Sequence, residues 1–426
     1  MKFQHYPALD ETLYSQVLPN GLTVLVVPKP GFTKKMAYFV TDFGSVHTDF
    51  TRNGQRHQVP AGVAHYLEHK LFDLPDRDVA GEFAALGAVV NAFTSYDITA
   101  YYFSTTENFQ PCLQLLLEFV STPYFTEESV EKERGIIDQE IGMNADDPAT
   151  QVFEQLTQAM FAHPIRQPIL GTSQDIRQIT PEILHLCHQA FYTPANMILC
   201  VVGDVDPEQV ATTAQQILGD QLLPPAEKHL MPETDMSVIE PLVRKQMDVV
   251  MPMFNLGFKC EPLGKGEDAI RQEIVGDLAA EVLFGEASAL YLDMYGQGLI
   301  DSSFGGGFET IDGCALLNCS GDSDHPEAVR DAILAQAQRL CAEGIDQTQF
   351  LRLKRSAMGR RIRDLDSFDS TCFRLCAYQM SDFNYFRFPD IYHSITIQQV
   401  QQFLSQVVRA DRCSLSVIDT IQEDTL

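Results

Sequence analysis

One succession of short apolar strands and amphipathic helices runs along this chain twice, once before residue 219 and once after residue 236. That order suggests a duplicated unit of mixed α and β structure, each copy burying the apolar faces of its own elements. In the first half Asn20-Gly21 marks a tight turn, with Leu22 to Val27 and Met36 to Thr41 as strands. A helical stretch follows from Pro60, where the missing amide suits a first helical turn. Val89 to Thr94 and Thr99 to Phe103 are rich in β-branched and aromatic residues and read as further strands. Helices are expected over 107–120, from the N-cap Thr126 with Glu127 and Glu128 in its first turn, and from Thr180 before a strand at Met197 to Val202. The second half repeats the order: strands near 247–259 and 302–320 around a helix near 266–284, then helices near 325–342 and 347–365. Between the halves, GDQLLPPAEKHLMPETDM with its Pro224-Pro225 reads as a linker. The expected domains are therefore 1–218 and 237–426, joined by 219–236. Residue identity between the halves is faint, so element order alone carries the repeat.

A chain of 426 residues that is 45% hydrophobic has ample material for two cores. Its net charge of −28 favours solubility and repels nucleic acid and anionic lipid, so neither is an expected partner. An acidic interior that favours cationic peptides is the sharper reading of the same charge. The start, MKFQHYPALDETLY, lacks an apolar run behind a basic segment and does not read as a secretory signal. Apolar segments elsewhere are short and interrupted by charge, so no membrane span is expected. Ten scattered cysteines with no CxxC spacing read as buried thiols in a reducing cytoplasm.

His65-Tyr66-Leu67-Glu68-His69 is the motif that carries chemistry. On a helix, His65 and His69 lie one turn apart on one face and can aim two imidazoles at one ion. Zinc suits two imidazoles and a carboxylate, with a fourth position for water. Glu68 flanks the same site with the reach of a general base. The third ligand must be a distant carboxylate. The segment from Glu131 to Glu140 offers two pairs seven residues apart, Glu133 with Glu140 and Glu131 with Asp138. Spacing leaves both pairs open, and a solvated acidic face is the ordinary explanation of such charge.

These residues resemble the pitrilysin/insulinase family of inverted-zincin peptidases, which includes the mitochondrial processing peptidases. Gly62 through Phe72 resembles the family's zinc helix, with Lys70 where many members carry an apolar residue. Asn91-Ala92-Phe93-Thr94 with Thr99-Ala100-Tyr101 is similar to its substrate-edge strand. Leu170-Gly171-Thr172, Tyr192 to Asn196 and Val202-Gly203-Asp204 resemble later landmarks, and Leu283-Phe284-Gly285 with Ser288 through Leu299 the second repeat. The similarity spans nearly the whole chain and is nearest to a bacterial cytoplasmic branch, whose members are often encoded beside a paralogue lacking the zinc motif.

The resemblance implies two α+β domains, each a mainly antiparallel sheet covered by helices. It implies Zn2+ on His65, His69 and Glu140, with Glu68 as general base and Glu133 as a supporting acid. Asn91, Ala92 and Phe93 would offer an edge to an extended peptide, a mode that reads backbone more than side chains. The second domain would be a non-catalytic wall of a substrate chamber, and the activity a zinc-dependent endopeptidase. Active members commonly receive an Arg and a Tyr from the second half or from a partner. The strand Gly313 to Gly321 contains neither, so a homodimer, or a heterodimer with a paralogue lacking the zinc motif, is the expected assembly. A metal-bound subunit without stand-alone activity, or a peptide-maturation factor, is the alternative.

Three other features take ordinary readings. Phe304 to Phe308 is glycine-rich, but no GK[ST] follows, which argues against a nucleotide site. Arg352, Lys354, Arg355, Arg360, Arg361 and Arg363 read as a solvated helix face, and His185 and His188 as structural histidines.

Overall fold

The computed structural model describes residues 1–75 and 77–421. They form two compact units, 1–141 with 168–230 and 361–388, and 142–167 with 231–360 and 389–426. The chain thus crosses between units more often than a single boundary near 219–236 would have it. Residues 142–167 belong with the second unit and 361–388 with the first.

Seven strands build the sheet of the first unit. They are β1 (Lys2–Tyr6), β2 (Glu11–Val17), β3 (Thr23–Pro28), β4 (Lys35–Thr41), β5 (Ala88–Thr94), β6 (Thr99–Thr105) and β7 (Met197–Gly203). Their order is β1-β2-β3-β7-β4-β6-β5. All neighbours are antiparallel except β3 and β7. β7 reads Met-Ile-Leu-Cys-Val-Val-Gly and is buried along its whole length, which requires cover on both faces. Phe39, Tyr101, Phe103, Leu199 and Val201 join the core with the helices on one face. On the other, Tyr38 donates to Asp369 of the helix Phe368–Met380 at 2.6 Å. β5 ends the sheet, and its outer edge pairs with no strand among the described residues.

The second unit has β8 (Leu242–Met247), β9 (Met253–Cys260), β10 (Gly305–Ile311), β11 (Cys314–Asp322) and β12 (Cys413–Thr420). Their order is β8-β12-β9-β11-β10, with β8 and β12 parallel and the rest antiparallel. Chain order and pairing sense match β3-β7-β4-β6-β5 strand for strand. The duplication is therefore real at the level of topology, and the fold is α+β with two mainly antiparallel sheets. The helix Pro148–Met160 packs on the second sheet and Phe368–Met380 on the first.

The segment between the halves is only partly a tether. Glu227–Lys228 adds to Asp49–Arg52 as a short strand in the first unit. In the second, the buried Glu233 accepts from the Ala162 amide at 3.0 Å, and its carboxylate lies 3.9 Å from Lys259 Nζ. The helix expected from Pro60 begins instead at Val63, because Gly62 turns the chain with φ +82°. The strands expected near 247–259 are β9, and β8, which lies ahead of that range and ends at Met247. The helix Pro148–Met160 is not expected from the sequence, because its apolar stripe is only Val152, Leu156, Ala159 and Met160 among polar residues.

Candidate metal centre

α1 (Val63–Leu71) carries the histidine motif, and two glycines fix where it starts. A Cβ on Gly62 would meet the Leu170 carbonyl oxygen at 2.2 Å, and one on Gly171 would meet that of Ala61 at 2.6 Å. Both residues have positive φ, so only glycine lets these backbones touch without strain. That contact explains why Gly62 and the Leu170-Gly171-Thr172 landmark occur together. α1 is buried at every residue except His69, which is part-exposed. Its Lys70 is fully buried and forms an ion pair with Asp73. The departure from an apolar residue there is thus matched by a carboxylate three residues on.

α2 (Glu127–Asp146) brings the distant carboxylate. Thr126 caps it: its hydroxyl accepts from Ser129 N at 3.1 Å while Ser129 Oγ accepts from Thr126 N at 3.2 Å. The Tyr66 hydroxyl donates to the Val130 carbonyl and ties α1 to α2. Val130 and Ile137 are the buried residues of α2, and Glu133 and Glu140 follow them at helical spacing on the same side. Glu131 instead pairs with Arg134, and both Glu131 and Asp138 are exposed. Of the two pairs that spacing left open, the structure brings Glu133 and Glu140 to the histidines.

One ligand atom each from His65, His69 and Glu140 lies within 4.8 Å of the others. Glu140 Oε2 is 3.7 Å from His65 Nε2 and 3.6 Å from His69 Nε2. Ligand atoms about 2.0 Å from a tetrahedral ion stand about 3.3 Å apart, so modest contraction closes the set around zinc. The donor chemistry also fits. Burial, and then the neighbouring His69, push His65 down to about 3, so its ring is neutral and able to ligate. Its buried Nδ1 has no hydrogen-bond partner among the described residues, which leaves Nε2 as the atom that can anchor the ring. Glu133 accepts from His69 Nδ1 at 2.9 Å, which aims the Nε2 lone pair into the site. Burial lowers the basicity of His69, but that hydrogen bond and the charges of Glu68, Glu133 and Glu140 outweigh it and raise its pKa.

Glu68 is buried beside the three ligands. Burial raises its carboxyl above the usual range, Glu140 adds to the rise, and the Thr94 hydrogen bond and His69 oppose it. Thr94 Oγ1 donates to Glu68 Oε2 at 2.6 Å. Thr94 is the last residue of edge strand β5, so the sheet edge and Glu68 are held in register. The motif alone assigns Thr94 no such role; the clue in the sequence is that Thr94 shares a strand face with Ala92. Asn91 is exposed, and Ala92 and Phe93 are half-buried on the same strand. Phe93 packs its ring 5.9 Å from that of Phe373. His188 is buried, donates from Nε2 to the Val120 carbonyl at 3.0 Å, and lies outside the His65–His69–Glu140 group.

Two imidazoles and a carboxylate thus converge beside a buried glutamate on a duplicated scaffold, a candidate metal centre. The chain belongs to the insulinase family, peptidase family M16. The family's sequence model described as Insulinase (Peptidase family M16) matches residues 52–173, and that described as Peptidase M16 inactive domain matches 178–357. An uncharacterized zinc protease of Bacillus subtilis, YmfH, is 35% identical over 418 residues, covering 96% of this chain and 97% of that one. A crystal structure of an M16-like peptidase from Alicyclobacillus acidocaldarius superposes with a TM-score of 0.92 at 31% identity, over 99% of both chains. A protease from Helicobacter pylori shares the fold, with a TM-score of 0.82 at 20% identity over 96% of this chain and 99% of that one. No helix among the described residues is long and apolar enough to cross a membrane.

Proposed function

We propose that the chain is a zinc-dependent endopeptidase of the cytoplasm, cutting peptides or unfolded segments with His65, His69 and Glu140 as metal ligands. The observation that carries this reading is the convergence of those three side chains beside the buried Glu68. Zinc bound there would supply a Lewis acid for the scissile carbonyl and acidify a water. Glu68 takes the proton of the attacking water and returns it to the leaving amide nitrogen. Its raised pKa suits both halves of that transfer. Thr94 occupies one Glu68 oxygen and leaves the other for the proton. Glu133 holds His69 in the ligating tautomer. Residues Asn91, Ala92 and Phe93 lie on the free edge of β5, where an extended substrate can add as a further strand.

A second copy of the chain, or a paralogous subunit without the histidine motif, completes the substrate grip in this proposal. The match of residues 178–357 to a domain described as inactive supports a division of labour between halves and subunits. The test is cleavage of a quenched fluorescent peptide pool by the wild type and by Glu68→Gln, with zinc quantified in both. Activity lost in the variant with zinc retained is the expected result. Zinc in both with cleavage in neither favours the subunit reading, in which a partner is required.

A further inference from the structure

A cavity of about 560 Å³ opens beside the centre, lined by Glu68, His69 and Glu133 together with Phe72, Asp73, Arg77, Asp78, Asn91, Ala92 and Lys132. Most of its charges are already engaged. Asp73 pairs with Lys70, and Arg77 is held by both oxygens of Glu82 at 2.8 and 2.7 Å. Glu133 holds His69, and Asp78 caps the helix that follows it by accepting from Gly81 N at 2.9 Å. Glu68 accepts from Thr94. Lys132 is the exception. Among the described residues lining the cavity it is the one charged side chain with no ion pair or hydrogen bond, and Glu128 one turn back makes none with it.

We infer that this cavity is a side-chain subsite for the substrate, and that Lys132 makes it select a carboxylate. The inference rests on the peptidase reading above and names the chemistry its substrate presents. Phe72 supplies apolar surface for the methylenes of a glutamate-sized side chain, and Lys132 supplies the unspent positive charge for its head. Asn91 and Ala92 line the same cavity from the edge strand. A peptide lying along β5 therefore passes its mouth, and one of its side chains is delivered into it. The net charge of −28 argues for the opposite taste, a general preference for cationic peptides. At physiological ionic strength, however, screening acts over about 8 Å, so the nearest charges govern a single position. The same carboxylate could come from the C-terminus of a short peptide, and amidation separates the two sources.

The test measures binding, so that it does not depend on turnover. Fluorescently labelled peptides differing only by Glu or Gln at each position in turn, with free and amidated C-termini, are titrated into the zinc-loaded Glu68→Gln protein. One position near the metal is expected to prefer Glu over Gln by about three- to five-fold, the strength of an exposed ion pair. The ratio should shrink with added salt, fall to one in Lys132→Met, and invert in Lys132→Glu. A preference confined to free C-termini assigns the cavity to a terminal carboxylate and overturns the side-chain assignment. Equal binding of the Glu and Gln peptides at every position, or a preference that survives Lys132→Met, overturns the inference while leaving the peptidase reading intact. No binding of any peptide removes that reading, and the inference with it.

Discussion

The two sheets of this molecule share one strand order, β3-β7-β4-β6-β5 and β8-β12-β9-β11-β10, yet among the described residues only the first unit gathers histidine and glutamate side chains that could hold a metal ion. The difference lies in the helix inserted between the second and third strands in chain order. In the first unit it is α1, nine residues long with His65, Glu68 and Lys70 buried. In the second it is α3 (Glu267–Phe284), eighteen residues long, with no histidine and a buried side made of Ala269, Ile270, Ile274, Val275, Leu278 and their neighbours. A glycine with φ +82° precedes both helices, Gly62 and Gly266. A Cβ on Gly62 would strike the Leu170 carbonyl, whereas one on Gly266 would meet nothing within 4 Å. The repeated topology thus supplies a position for a helix, and tertiary contacts around Gly62 turn that position into a site. The second unit spends the same helix on packing.

That contrast can be broken at several points. The largest effect is expected for metal content. The wild type should bind one zinc per chain and not two, and His65→Ala or Glu140→Ala should abolish stoichiometric zinc, measured by equilibrium dialysis and elemental analysis. Zinc remaining at one equivalent in these variants would move the centre away from the first unit. Next is Glu133→Ala, which should weaken zinc binding by about 10- to 100-fold through loss of the His69 orientation, read by competition with a chelator.

A pH titration sharpens the comparison further. His65 and His188, both in the first unit, are pushed down to about 3 and about 4 by burial. The unfolded chain then binds protons that the folded unit does not. Through these two rings the metal-free protein should lose stability as pH falls below the ordinary histidine value near 6.5 through 5 toward 4, a loss that His69, with its raised pKa, offsets in part. Each group contributes up to about 2 kcal/mol of loss at pH 5. Denaturant unfolding between pH 7.5 and 4.5 measures it, and a pH-independent midpoint would contradict the buried, neutral state of these rings.

The smallest expected effect is Thr94→Val. Loss of one hydrogen bond to Glu68, about 1 kcal/mol, should lower kcat/KM by several-fold. Thr94 opposes the rise in the Glu68 pKa, so its removal should carry the acidic limb of the pH–rate profile to higher pH. A limb that stays in place would show that Thr94 does not act through Glu68.

Much of this was legible in the sequence. Two histidines four residues apart declare a helix with one ligating face, and β-branched runs such as Met197 to Val202 declare strands. The duplication was visible in element order because each unit repeats the same alternation of strand and helix. The choice between Glu133–Glu140 and Glu131–Asp138 was not made from spacing, yet a signal existed. Val130 and Ile137 mark the buried stripe of α2, and the first pair lies along it. What the sequence did not reveal depends on distant contacts. The start of α1 at Val63 is set by Gly62 against Leu170, more than a hundred residues away. Lys70 is tolerable in a buried helix only because the chain turns Asp73 back onto it. The exchange of Pro148–Met160 and Phe368–Met380 between units is likewise invisible to local pattern, since either helix could cover either sheet.

The central claim is that one zinc is held by two imidazoles and a carboxylate in the first unit. X-ray absorption at the zinc edge of the one-equivalent protein tests it most directly. The account expects a nitrogen and oxygen shell at about 2.0–2.1 Å with the outer signature of two imidazoles, lost in Glu140→Ala. A sulfur shell at about 2.3 Å, drawn from the ten cysteines, would contradict it.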